Sequence, residues 1–218
     1  MLTLVIGNKN YSSWSLRPFL VLRTFGVAFD EVRILLDTPH FQQDVGKWAP
    51  NLRVPALHDD GLVIWDSLAI CEYANEQYLD GRGWPAETAA RAQARSAAAE
   101  MHSGFTALRK QCPMNMRRTP DNYRPDAEAQ RDIDRIQAIW RELKQTHGQG
   151  GDFLCGAFSI VDAMYAPVVS RFLSYGVEMD DTARAFADAI QSLPAWQEWR
   201  DAGFAEIEYL PDTEKFRA

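Results

Sequence analysis

Three short segments hold the residues whose types and spacing could do chemistry: Tyr11-Ser12-Ser13-Trp14-Ser15-Leu16-Arg17-Pro18, Arg53-Val54-Pro55-Ala56-Leu57 and Asp66-Ser67. In the first, hydroxyls stand where a strand gives way to a helix. A serine there accepts from the orphan N–H groups of the first turn, and the same helix end attracts an anion. In the second, Pro55 opens a strand and removes a ladder donor. Such a proline sits at an edge, or the backbone beside it serves a ligand instead of the sheet. In the third, Asp66 and Ser67 open a helix, and an exposed helix N-terminus is a ready anion site. The remaining reactive residues form no comparable pattern. Cys71, Cys112 and Cys155 make no CxxC, and His40, His58, His102 and His147 lack ligand spacing, so no disulfide framework and no metal site are expected. Local spacing suggests no Ser-His-Asp arrangement either.

These segments must be held by the elements around them. Residues 2–6 form an apolar, β-branched strand stopped by Gly7-Asn8. Residues 16–25 read as a helix closed by Gly26, with Pro18 tolerated in the first turn if the helix begins at 13–15. A second strand at 29–35 and a short helix at 41–48 follow. Strands at 54–58 and 62–65 flank Asp59-Asp60-Gly61, a hairpin signal, and 68–79 carries a buried helical stripe of Leu68, Ile70, Cys71, Ala74 and Tyr78. After Gly81-Arg82-Gly83-Trp84-Pro85 the strand signals stop. Helices are predicted at 86–111, 126–146, 160–174, 181–191 and 195–202. The chain thus divides near 80–85 into an α/β unit, 1–80, and an all-helical unit, 86–218.

The whole-chain balance narrows the function. With 218 residues, 46% of them hydrophobic, the chain is long enough for a substantial core. A formal net charge of −7 argues against nucleic-acid and anionic-membrane partners. No apolar run approaches the roughly 20 residues of a membrane span, and no basic leader precedes the first strand. A cytoplasmic location is expected.

The three segments, in this order and on these elements, resemble the cytosolic glutathione transferase family over essentially the whole chain. The first is similar to the Ser-x-x-Ser-x-Arg pattern of serine-type members, zeta and tau classes included. The resemblance implies a thioredoxin-like N-terminal domain, a helical C-terminal domain, and glutathione as co-substrate without a metal. It implies that Ser12, with Ser13 the next candidate, donates a hydrogen bond to the glutathione sulfur. Val54 before a cis Pro55 would pair its main chain with the cysteinyl part, beside Arg53. Ser67 would bind the γ-glutamyl carboxylate, and Asp66 the ammonium. Phe158-Ser159-Ile160-Val161-Asp162 resembles the family's helical capping box. The electrophile site is expected between the domains, with Trp14, Met114, Met116 and Arg117 as its wall, although the same residues serve as core and helix-end cations. An arginine expected near 174 is replaced by Ser174, with Arg171 nearby. The implied activity is attack of the glutathione thiol on a small electrophile by a homodimer. A glutathione-dependent isomerase and a non-catalytic binding protein are the alternatives.

Overall fold

Strand β1 (Thr3–Ile6) is apolar on both faces because it lies inside the sheet with cover on each side. Leu4 and Ile6 point into the main core, and Val5 into a smaller cluster with Ile34, Val45, Ala49 and Ala56. The computed structural model describes residues 1–120 and 122–214. The strand order is β2-β1-β3-β4. β2 (Asp30–Arg33) runs parallel to β1, and α1 (Ser13–Thr24) makes the crossover between them. After α2 (Phe41–Val45), β3 (Ala56–Asp59) pairs antiparallel with β1 and forms a hairpin with β4 (Leu62–Trp65). Gly61, at φ +91°, supplies the left-handed turn residue of this hairpin. α3 (Ser67–Gln77) closes the unit.

Every later element among the described residues is helical: α4 (Thr88–Ser103), α5 (Thr106–Gln111), α6 (Ala127–His147), α7 (Ile160–Tyr175), α8 (Asp181–Ser192), α9 (Pro194–Ala205) and α10 (Pro211–Glu214). The main core is continuous across both halves, from Leu4, Phe19 and Ile70 to Trp140, Phe172 and Trp199. Among the described residues no helix is long and apolar enough to cross a membrane.

Two predicted helices differ in detail. The segment 86–111 is broken at Gly104-Phe105, where Phe105 adopts a left-handed φ of 55°. α5 restarts there, and Asp132 accepts from the Leu108 N–H of its first turn at 2.9 Å. α1 begins at Ser13, so Pro18 stands in its second turn and leaves the Trp14 carbonyl without its i+4 donor. The capping box at α7 is formed as expected. Asp162 accepts from the Ser159 N–H at 2.7 Å, the Ser159 hydroxyl at 3.0 Å and the Leu154 N–H at 3.0 Å.

Candidate functional site

Between β3, β4 and the helical half lies a cavity of about 430 Å³ lined by Trp14, Asn51, Arg53, Val54, Pro55, Trp65, Asp66, Ser67 and Arg109. Five of the residues singled out in the sequence, Arg53, Val54, Pro55, Asp66 and Ser67, meet here with Trp14. The Val54–Pro55 bond is cis. Neither the Val54 N–H nor its C=O is hydrogen-bonded among the described residues, because pairing with β1 begins at Ala56. A short stretch of open main chain therefore faces the cavity. Arg53 is exposed and forms no ion pair among the described residues.

Asp66 and Ser67 form the opposite side. Asp66 caps α3, its carboxylate accepting from Leu68 N–H at 2.9 Å and Ala69 N–H at 3.3 Å. Its backbone has φ 78° and ψ 132°, a strained conformation for a residue with a side chain, of the kind that concentrates at ligand sites. His102 of α4 reaches across from the helical half, its Nε2 3.2 Å from Asp66 Oδ2. Ser67 is fully buried at the floor of the cavity. Its hydroxyl accepts from Arg17 Nη1 at 3.4 Å and has no acceptor for its own proton among the described residues. Arg17 is 1% exposed, and its Nε has no hydrogen-bond partner among the described residues. Burial lowers its pKa to about 9, helped by repulsion from Arg171 and Arg109, so it is still a cation at neutral pH.

Ser12 and Ser13 do not line the cavity; Trp14, the next residue, does. Ser12 is the N-cap of α1 and accepts from Ser15 N–H at 3.4 Å. Its Oγ lies 2.7 Å from Ser15 Oγ, which also accepts from Gly7 N–H at 3.2 Å. Hydroxyl protons rotate, so that 2.7 Å contact is equally served with Ser15 donating, which releases the Ser12 proton toward a ligand. The Ser13 hydroxyl has no hydrogen bond among the described residues.

Comparison with known proteins decides the lineage. The family model for the glutathione S-transferase N-terminal domain matches residues 11–77, and that for the C-terminal domain matches residues 126–202. The chain belongs to the glutathione S-transferase family. This glutathione S-transferase chain is also similar to the stringent starvation protein A homolog of Coxiella burnetii, 26% identical over 84% of this chain and 81% of that protein. Among solved structures it is similar to a glutathione transferase homolog from Burkholderia GL BGR1 with bound glutathione (TM-score 0.71, 22% identity, covering 94% and 99% of the two chains). Glutathione S-transferase isozyme E7 of Drosophila melanogaster gives a TM-score of 0.69 at 23% identity, covering 93% and 92%. These structural likenesses carry the fold.

In this glutathione S-transferase chain none of residues 112–118 lines the cavity. Met114 and Met116 are buried, with Met116 Sδ accepting from the Ser170 hydroxyl at 3.2 Å. Arg117 is engaged by the C-terminal tail. Its guanidinium donates to the Glu206 carbonyl, to the Glu208 carbonyl at 2.7 Å and to the Tyr11 hydroxyl at 2.6 Å. Arg171 is buried and donates to the Cys112 carbonyl at 2.8 Å and the Pro167 carbonyl at 3.0 Å. Ser174, where the family pattern suggested arginine, donates to the Asn115 carbonyl at 2.9 Å. Arg109 and His102, which complete the cavity's surroundings, were not singled out in the sequence, whereas Arg17 is the arginine of the first segment. Their i,i+3 and i,i+4 neighbours are ordinary helix residues, and only the packing of α1, α4 and α5 brings them together.

Proposed function

We propose that this chain is a serine-type glutathione transferase that binds glutathione in the cavity and ionises its thiol at the mouth of α1 for attack on a small electrophile. One observation carries the reading. Unpaired main chain at Val54, a proton-bearing Ser67 hydroxyl and the α3 N-terminus face one another across a single cavity. A γ-linked tripeptide presents the matching groups: a peptide for Val54, a carboxylate for the Ser67 hydroxyl and N–H at the mouth of α3, and an ammonium for Asp66. Arg53 then meets the glycyl carboxylate. No resident metal is needed.

The sulfur is the reacting atom. A free thiol has a pKa of about 8.5, and lowering it by about two units requires roughly 2.7 kcal/mol of preference for the thiolate. One charge-assisted hydrogen bond of about 1.5–3 kcal/mol, added to the positive end of α1, is of that size. Ser12 is assigned this bond. The free hydroxyl of Ser13 makes it the alternative donor. The protein acts as a cytoplasmic homodimer, which light scattering tests: a monomeric mass would refute the dimer.

A second reading rests on the Ser12–Ser15 contact at 2.7 Å. If that pair stays closed in the complex, the protein binds glutathione without activating it. Calorimetry with glutathione followed by a conjugation assay on an aromatic electrophile separates the two. The expected result is saturable binding with turnover that Ser12→Ala reduces much more than it reduces affinity. Binding without turnover establishes the second reading, and no binding removes both.

A further inference from the structure

Arg109 is a half-buried cation on the helical-domain wall of the cavity, and its guanidinium lies over the Trp14 ring, 4.5 Å from Cζ to the centroid. Arg17 lies 4.3 Å from the same ring centroid. Neither forms an ion pair with a carboxylate among the described residues, and Arg171, a third buried guanidinium, repels Arg17 from the far side. Among the described residues, Asp66 is the sole carboxylate lining the cavity, and it is turned toward the α3 amides and His102. Asp66 is the one carboxylate whose charge acts on Arg17, against the two guanidiniums that flank Trp14 and a third at Arg171, so positive charge is in excess on this wall and it favours an anion. Glutathione brings two carboxylates, and the reading above assigns them to Ser67 with the α3 N-terminus and to Arg53. Arg109 stands on the opposite wall and is left over.

We propose, resting on that reading, that the second substrate is a carboxylate-bearing electrophile whose charged end is held by Arg109. A guanidinium matches a carboxylate bidentately, and its stacking on Trp14 holds the fork in place. Arg109 is thus a specificity-determining residue, and the positive field of Arg17 supports it from below.

The test is calorimetry with S-benzylglutathione, S-(4-carboxybenzyl)glutathione and 4-nitrobenzoate, on the wild type and on Arg109→Met. The wild type should bind the carboxylated conjugate at least about tenfold more tightly than the neutral one. Arg109→Met should weaken the carboxylated conjugate at least about tenfold more than S-benzylglutathione, bringing the two together. Equal affinities in the wild type, which need no variant to measure, would overturn the proposal. So would a preference that survives Arg109→Met, or an equal drop for both conjugates, which would assign Arg109 to glutathione itself. 4-Nitrobenzoate separates the two readings. If it binds through Arg109 while neither conjugate binds, the anion site stands and the glutathione assignment falls; if none of the three binds, both fall.

Discussion

Ser12 holds two tasks on one oxygen: it caps α1 through Ser15 N–H, and it shares a 2.7 Å hydrogen bond with Ser15 Oγ. Replacing it with alanine removes the cap as well as the proposed thiolate donor, so stability should fall by about 1 kcal/mol alongside the loss of turnover. Thermal melts beside the kinetics resolve the two effects. Ser67 gives a cleaner case because its proton has no protein acceptor among the described residues. Ser67→Ala should weaken glutathione binding by about 1–2 kcal/mol, close to tenfold, with little change in turnover at saturation. An unchanged dissociation constant by calorimetry would remove Ser67 from the site. The strained backbone of Asp66 and its contact with His102 show that the protein invests in its placement.

At the scale of elements, the capping box of α7 gives a pH signature. Burial raises Asp162 from 3.8 to about 6, so the folded chain holds its proton more tightly than the unfolded chain does. Its contribution to stability is therefore largest at low pH, declines as pH rises through the interval between those values, and is level above it. Asp162→Asn abolishes that titration and leaves buried donors poorly matched, at a cost of about 1–3 kcal/mol. Urea titrations should show a larger loss relative to wild type near pH 4 than near pH 7; a loss that grows toward neutral pH would contradict the assignment. The box was legible in the sequence because Ser159 and Asp162 interact locally, and so were the strands, the hairpin at Gly61 and the opening of α3. The break at Gly104-Phe105 was not. Strong helix formers dominate residues 86–111 and mask the single Gly104 within them, and the turn is fixed by long-range contacts such as Asp132 with Leu108 N–H. Arg109 escaped notice for the same reason: its importance lies in facing Trp14 across an interface that no periodicity announces. Met114, Met116 and Arg117 were read as a pocket wall because their types suit one, yet packing turned them into core and tail contacts.

In the whole molecule, residues 199–214 pack against the loop that carries Ser12. Glu206 accepts from Lys9 N–H at 2.7 Å and Asn10 N–H at 3.0 Å, and pairs with Arg33 at 2.9 Å. Tyr11 donates to Glu214 at 2.7 Å, and Trp199 donates to the Lys9 carbonyl at 2.8 Å. The tail thus fixes the backbone just ahead of the hydroxyls, a long-range arrangement invisible in local sequence. Glu206→Ala should cost about 1–3 kcal/mol by stranding the Lys9 and Asn10 N–H groups, while Arg33, partly exposed, keeps its pair with Glu208 at 3.1 Å. Hydrogen exchange should report it as faster exchange at the Lys9 and Asn10 amides; unchanged protection there would show that the tail is not what holds the loop. The account as a whole turns on the ionisation of a bound sulfur. Following the ultraviolet absorbance of the thiolate against pH, with glutathione bound to the wild-type protein, measures it directly. The midpoint should lie about two units below the roughly 8.5 of a free thiol. A midpoint at the free value, with glutathione demonstrably bound, would contradict it.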